Sequence, residues 1–386
     1  MGGNSGGNSG GNSGGNSGGN SGGNSGAMMS GGSDHAESPT SPLLSSVLVT
    51  SHDAITGYWG PAQLDPAAVR ALFDALDTQE GYLHHVQPYM RARIGTAQLC
   101  NLLLVKGDRK SASATLKVSD KTITTIARPN PGYFIRDLDW VRAYADLRSD
   151  RLSEIQVQIT DIMSFFGALR FLDRGRRQGT LLLLNVVRDT AIYVESLVKY
   201  YCRAPRPIDY LQQVQPMIQT PDHSAFPSGH ATEAFAVATV LNRLATGNGP
   251  KTGIAAAAFP FRLAHRIAAN RTVAGVHFPV DSHAGAWLGC YIGEAVHAIA
   301  TGGQLSKEDF ALPDHEVAGG SDEAHQDADI AVPQATIDFL LTTLTVFPSA
   351  STTAYETITS NPIIKRLWDD AQAEWPSPPI LGPGGV

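Results

Sequence analysis

The sequence predicts an all-α protein, a helical bundle with peripheral loops and room for one short hairpin. Three observations carry this. Apolar residues recur at the 3.6-residue helical period through most of the chain after Pro131. Gln178 to Tyr201 reads as one long helix with a broad apolar face, suited to a central position. Only residues 111–127, rich in Thr, Ser and Val, have a strand-like composition, and they read equally as a hairpin or as a loop over the core. Helices so outnumber strands that a bundle is the natural class.

Taken in order, residues 2–25 repeat Gly-Gly-Asn-Ser without one apolar side chain. Such a stretch cannot bury enough surface to offset its ordering entropy. Residues 1–28 read as an engineered linker or tag, and the fold is expected to begin after Met29. Residues 29–60 read as an irregular Ser-, Pro- and Gly-rich arm. Asp65-Pro66 is a good helix start, an N-cap followed by proline at the first helical position, with Val69, Leu72, Phe73 and Leu76 on one face. Further helices are expected over Tyr89–Val105, Asp137–Leu147 and Leu152–Leu172. The long helix ends with Lys199, and Pro205 and Pro207 stop it.

Residues 208–227 show no strong pattern and read as a loop. Helices follow over Ala231–Leu244 and over the alanine-rich residues 253–269. A last core helix begins near Asp281 and runs to about Ala300, where Gly285, Ala286, Gly289 and Gly293 allow neighbours to approach closely. Residues 29–312 thus read as one helical catalytic domain. Residues 313–331 read as an acidic linker, and two peripheral helices are expected over 333–345 and 362–374.

Composition removes several function classes. A formal charge of −7 gives no support to nucleic-acid binding. Cys100, Cys202 and Cys290 are too few and too scattered for a disulfide framework or a zinc site. No signal peptide follows Met29, and Arg188, Asp189 and Glu294 interrupt the most apolar stretches before they reach membrane-spanning length. The expectation is a cytoplasmic protein without membrane spans.

Three pieces of sequence carry chemistry. The first is Lys199-Tyr-Tyr-Cys-Arg-Ala-Pro-Arg206-Pro207, which can present an ammonium and a guanidinium fork to one anion. The second is Pro227-Ser228-Gly229-His230 at a helix start, where free N–H groups and a hydroxyl make an anion site and a histidine can move a proton. The third is Arg271 with His277 and Asp281, the aspartate one turn beyond the histidine and able to orient its ring. Taken singly, each has a bland reading: a basic helix end, an ordinary Pro-Ser cap, a capping aspartate with a salt-bridged arginine. Glu195, one turn before Lys199, reads equally as its partner or as half of a solvated ion pair.

Taken together, the spacing Lys-x6-Arg-Pro, Pro-Ser-Gly-His and Arg-x5-His-x3-Asp resembles the superfamily that unites vanadium-dependent haloperoxidases, type 2 phosphatidic acid phosphatases and bacterial class A acid phosphatases. The likeness covers about 85 residues, Lys199 to Asp281, with every signature residue present. Asn270 departs from the serine that many members carry before the arginine. The resemblance implies that Lys199, Arg206, Ser228, Gly229 and Arg271 bind the oxygens of vanadate or phosphate. His277 would be the vanadium ligand or the nucleophile on phosphorus, His230 the acid–base, and Asp281 the group that orients His277. Five-coordinate vanadate resembles the transition state of phosphoryl transfer, so one pocket can serve both chemistries.

Within that superfamily the expectation is a vanadium-dependent haloperoxidase of bacterial type, which uses hydrogen peroxide to oxidise bromide or iodide to a hypohalous-acid equivalent that halogenates a small organic substrate. Vanadate would be its cofactor and a homodimer or higher homo-oligomer its expected state, both by resemblance. Three features favour this reading: no membrane helices, a length beyond the compact acid phosphatases, and His223 seven residues before His230, where the bromoperoxidases commonly carry a histidine. The alternative is an acid phosphatase with a phosphohistidine intermediate at the same site.

Overall fold

The computed structural model describes residues 42–56, 60, 64–76, 83, 86–173, 175–310 and 354–375. In chain order these form helices α1 (Pro42–Thr56), α2 (Pro66–Leu76) and α3 (Pro88–Leu102), then an antiparallel meander of β1 (Leu103–Asp108), β2 (Ser113–Val118) and β3 (Lys121–Ala127). Helices α4 (Pro131–Tyr144), α5 (Arg148–Gln158) and α6 (Met163–Arg170) lead to the long α7 (Gln178–Cys202). A single turn, α8 (Pro207–Tyr210), precedes α9 (Gly229–Thr246), α10 (Pro250–Ala255), α11 (Phe259–Val273) and α12 (Pro279–Thr301). A ribbon of β4 (Gln304–Lys307) and β5 (Ala354–Thr357) and helix α13 (Pro362–Gln372) complete the order. The fold is predominantly helical, as the patterning predicts. Proline heads α3, α4, α8, α10, α12 and α13, where its missing N–H costs nothing and its fixed φ suits the first turn.

The core is built on α7, α9 and α12. Leu183, Leu184, Val187, Ala191 and Val194 of α7 are wholly buried, as are Ala234, Phe235, Ala238 and Leu241 of α9 and Leu288, Ile292 and Ala295 of α12. Helices α9 and α12 lie so close that a methyl group added at Gly289 would stand 2.4 Å from the Thr232 carbonyl oxygen, and one at Gly285 would stand 2.4 Å from that of Ser228. A side chain at either place would push the helices apart. The small residues near the start of α12 are therefore what lets it share a site with the start of α9.

The C-terminal helix is integral to this core. Ile364, Leu367, Trp368 and Ala371 of α13 are buried against it, and α13 packs on α3, α7 and α12. Just beyond it, the Glu374 carboxylate accepts hydrogen bonds from the backbone N–H of Gly179 at 2.6 Å and of Thr180 at 2.8 Å, satisfying donors that the first turn of α7 leaves open. The Trp375 indole donates to the Thr180 hydroxyl at 2.9 Å.

Several boundaries differ from the sequence reading, each for a local reason. The helix expected to reach Val105 ends at Leu102, because the apolar run Leu102 to Val105 continues as β1 paired with β2. Residues 111–127 do form a hairpin, and its face bearing Leu116, Val118, Ile123 and Ile126 is buried. The Trp287 indole of α12 donates to the Thr124 hydroxyl at 2.9 Å and pins the meander to the bundle. The single helix expected over Leu152–Leu172 is two, α5 and α6, because Asp161 accepts from Ser164 N at 2.9 Å and starts a new helix. The alanine-rich segment also breaks, at Ala257 with φ of 50°, before proline restarts it as α11. Residues 29–60, expected as an irregular arm, include helix α1. The apolar face expected on α2 does not reach the core: Leu72 and Phe73 are 66% and 65% exposed. The loop expected over 208–227 carries α8 and a short 3-10 turn, Gln212–Val214. The N-terminal repeat, the acidic stretch 313–331 and the helix expected over 333–345 lie outside the described residues.

All three cysteines are free. Among the described residues, no helix is long and apolar enough to cross a membrane.

Candidate active site

Three chain reversals converge on one buried point. Helix α7 ends in a left-handed residue, Arg203, with φ of 48°, so the chain turns back just after Lys199. Arg206 then stands extended before α8, its N–H bonded to the Asp209 carboxylate at 2.7 Å. Ser228 is the extended N-cap of α9, and Gly229 is its first residue. The backbone N–H of Ser228 donates to the carbonyl oxygen of Asp281 at 2.8 Å, which ties the start of α9 to the start of α12. All three motifs meet here, and Lys199, Arg206, Ser228, His230, Arg271, His277 and Asp281 are all buried.

His277 is held at both ring nitrogens. Nδ1 lies 3.2 Å from Asp281 Oδ2, and that same oxygen accepts the N–H of Phe278 at 2.9 Å. Nε2 lies 3.1 Å from Nη1 of Arg206. A guanidinium can only donate, so Nε2 must be the acceptor and Nδ1 carries the proton toward Asp281. Burial, then the charges of Arg206 and Lys199, push the imidazole well below its ordinary range, so it is neutral. Burial pushes Asp281 the other way, up to about 7. The result is an unprotonated nitrogen, oriented by a carboxylate and facing cations, which is what a nucleophile on phosphorus or a ligand of vanadium requires.

His230 is neutral for similar reasons: burial first, then Arg271. Its Nε2 lies 3.0 Å from the carbonyl oxygen of Gln158, so this nitrogen donates and Nδ1 is left for proton transfer. Arg271 donates through Nη2 to the Gln158 side-chain oxygen at 3.0 Å, while its Nε and Nη1 are buried without a partner. The Ser228 hydroxyl is likewise buried without one. Buried donors without acceptors are costly unless a ligand supplies the acceptors. These orphaned donors at Arg271 and Ser228 fit a tetrahedral oxyanion, phosphate or vanadate alike.

Lys199 and Arg206 both donate to backbone carbonyl oxygens. Lys199 Nζ bonds the carbonyl oxygens of Ser224, at 3.1 Å, and of Pro227. Arg206 bonds the carbonyl oxygens of His223 and Val276, at 3.1 Å from Nε and 2.8 Å from Nη1. Arg206 Nη2 also lies 3.2 Å from His223 Nδ1. The structure therefore brings His223 beside the site, where burial and the two cations push it down to about 4. A cavity of about 950 Å³ opens here, lined by Glu195, Lys199, Arg206 and His223 with Ile192 and Tyr200.

Two residues change their reading. Glu195 forms no solvated pair with Lys199. It is 1% exposed, and its carboxyl lies against Gly229. Asn270, the departure from the motif, holds the second layer: its side-chain N–H donates to the Gln158 oxygen at 3.0 Å, and its own oxygen accepts from Arg151 at 3.1 Å.

Gln158 itself went unread in the sequence. It sits at the end of α5 within a stretch whose periodicity signalled only a helix, and a lone glutamine carries no motif. Its oxygens accept from His230, Asn270 and Arg271, and its amide donates to Glu154 at 3.1 Å. Gln158→Ala is expected to lower kcat/KM by about 10- to 100-fold with little change in secondary structure, because it frees Arg271 to move. Steady-state kinetics beside circular dichroism checks this.

With that geometry in view, a sequence profile of the PAP2 superfamily matches residues 179–302, the span that supplies every site residue except Gln158. The chain belongs to this superfamily of oxyanion-handling enzymes. Its similar curated relatives include the decaprenylphosphoryl-5-phosphoribose phosphatases of two strains of Mycobacterium tuberculosis, each 31% identical over 147 residues, which is 38% of this chain and 75% of the relative. These relatives are phosphatases. They favour the hydrolase that the sequence reading placed second over the haloperoxidase it placed first.

Proposed function

We propose that the protein is a phosphatase that hydrolyses phosphate monoesters through a phosphohistidine at His277. The observation that carries this is the unprotonated Nε2 of His277, aimed at Arg206 and oriented by Asp281. Arg271, Ser228 and the Gly229 N–H take the non-bridging oxygens, and Lys199 and Arg206 join them by exchanging backbone carbonyls for phosphate. Nε2 attacks phosphorus, a P–N bond forms, and the ester P–O bond breaks. His230 gives its proton to the departing alkoxide through Nδ1. In the second step His230 takes a proton from water, the resulting hydroxide attacks phosphorus, the P–N bond breaks, and inorganic phosphate leaves. Neutral in this structure, His230 needs a proton to begin, and the negative charge of a bound substrate favours it there.

A second reading has its own observation. His223 lies beside Lys199 and Arg206 in the cavity wall, where bromoperoxidases of the resembling family carry a histidine. The orphaned donors and the free Nε2 fit vanadate as they fit phosphate. Vanadate bound there would supply a Lewis acid that activates hydrogen peroxide toward bromide or iodide. This chain's residues would hold its oxygens, orient His277 and move protons at His230.

One metal-stripped sample, split in two, separates the readings. One half receives p-nitrophenyl phosphate, with and without orthovanadate. The other receives orthovanadate, hydrogen peroxide, bromide and a dione whose halogenation is followed by absorbance. Phosphate release that vanadate inhibits, without halogenation, is the expected result. Vanadate-dependent bromination with feeble phosphate release would overturn the phosphatase in favour of the second reading.

A further inference from the structure

A carboxyl group is built into the wall of this anion site. Glu195 lies on α7 one turn before Lys199, and its side chain points to the start of α9. A methyl group added at Gly229 would stand 2.6 Å from both carboxyl oxygens, so the carboxyl lies directly on the first residue of that helix. Its Oε2 is buried without a hydrogen-bond partner. Lys199, which could have neutralised it, is turned instead to the carbonyl oxygens of Ser224 and Pro227. The same cavity is lined by Glu195, Lys199, Arg206 and His223. An acidic group thus shares the helix N-terminus and the cations on which an oxyanion depends.

We propose that Glu195 is a specificity-determining residue of the oxyanion site: its carboxyl shares the field of the bound anion, so the protein takes up an oxyanion together with one proton and loses affinity for it in alkaline solution. The proposal rests on the reading of the site as an oxyanion pocket and adds which protonation state that pocket accepts.

The argument is one of competing charges. An ionised carboxylate and a dianion on one helix N-terminus repel each other through protein, where screening is weak. Protonation removes the repulsion and leaves a hydroxyl that can donate to the anion. The charged and titratable groups that share the cavity with Glu195 are Lys199 on its own helix, Arg203 and Arg206 from the turn before α8, Asp209 of α8, and Asp222 and His223 from the loop across it. Glu233 of α9 and Asp281 of α12 act on the same Lys199. Burial pushes Glu195 up to about 7, opposed by Lys199 and Arg206. Both forms are therefore populated near neutrality in the free protein, and a bound anion favours the protonated one. The sign follows: binding takes up a proton where the bound form holds it and the free form has lost it, so affinity falls as pH rises through about 7.

The test is calorimetric titration with tungstate, a dianion across the whole range, from about pH 6 to about pH 9, on the wild type and Glu195→Gln. Two buffers of different ionisation enthalpy count the protons taken up. The histidines and Asp281 are present in both proteins; Lys199, whose charge Glu195 favours, is the other group the substitution shifts, and its loss of charge would weaken binding by the variant, opposite in sign to the expected gain. The expected result is equal affinity near pH 6, about tenfold tighter binding by the variant near pH 8.5, and about one proton fewer taken up by it. Parallel affinity profiles would overturn the proposal, as would uniformly weaker binding by the variant, the mark of a merely structural role. Absence of tungstate binding by both proteins would overturn the oxyanion reading itself, and the proposal with it. Should the glutamine variant not fold, infrared difference spectra decide: tungstate at about pH 8 must produce a protonated-carboxyl band that Asp281→Asn retains, and its absence from either protein overturns the proposal.

Discussion

His277→Ala is expected to lower kcat for p-nitrophenyl phosphate by about 10³-fold or more, while oxyanion affinity stays within about tenfold of the wild type. The split follows from who does what. The donors that hold an anion belong to Arg271, Ser228, Gly229, Lys199 and Arg206, none of which the substitution touches. Only the nitrogen that forms the bond to phosphorus is lost. Because Arg206 Nη1 and Asp281 Oδ2 flank the ring, the space left behind is polar at both ends and shaped for an imidazole. Added imidazole is therefore expected to restore part of the rate, and a labelled phosphoprotein trapped by an alkaline quench, in which a phosphohistidine survives, should vanish from the variant. Residual turnover within about tenfold of the wild type would remove His277 from the role of nucleophile.

Gly289→Ala is expected to cost about 3 kcal/mol of stability or more, an unusually large effect for a single methyl group. The methyl would meet the backbone at the Thr232 oxygen, 2.4 Å away, and the Ala236 nitrogen, 2.9 Å away, and the rigid Phe235 Cβ at 2.9 Å. Backbone atoms in a helix cannot swing aside as a lysine end can, so α9 and α12 must separate along their length. Gly285→Ala presses on the Ser228 carbonyl at 2.4 Å, next to the anion donors, and is expected to reduce kcat/KM as well as stability. Gly247→Ala is the control. That glycine has φ of 76° and nothing within 4 Å, so only the left-handed backbone penalises the methyl, by about 1 to 2 kcal/mol. Urea unfolding of the three variants ranks them. A Gly289→Ala cost below that of Gly247→Ala would contradict the close approach of the two helices.

The legible parts of this chain were those where chemistry dictates spacing. Lys199, Arg206, Ser228, His230, Arg271, His277 and Asp281 each have a bland reading taken singly, and could be read because their joint spacing resembles the signature of a family whose oxyanion needs that donor set. The glycines of α12 could be read as a contact surface from spacing alone. Helix interruptions were harder. The break between α5 and α6 rests on one aspartate, and the break before α11 on one alanine in a left-handed conformation, neither of which disturbs the apolar period. The passage from α3 to β1 falls inside a run of leucines, where helix and strand patterns coincide. Gln158 was illegible as a site residue, and Glu195 legible only as a candidate partner of Lys199, for a different reason. Their roles come from what lies opposite them in space, a histidine and an arginine in one case and a bare glycine in the other.

The contact between Glu374 and the start of α7 has a consequence for how the chain is made. The cap and the residue it serves are 195 positions apart, and the capping segment leaves the ribosome after every site residue. Until it emerges, the first turn of the central helix has open backbone donors, and the surfaces of α3, α7 and α12 that α13 covers face water. The face of the bundle that α13 covers therefore closes only after translation has passed this segment, and a nascent chain stalled before Pro362 holds all the site residues without the cap on the helix presenting Lys199.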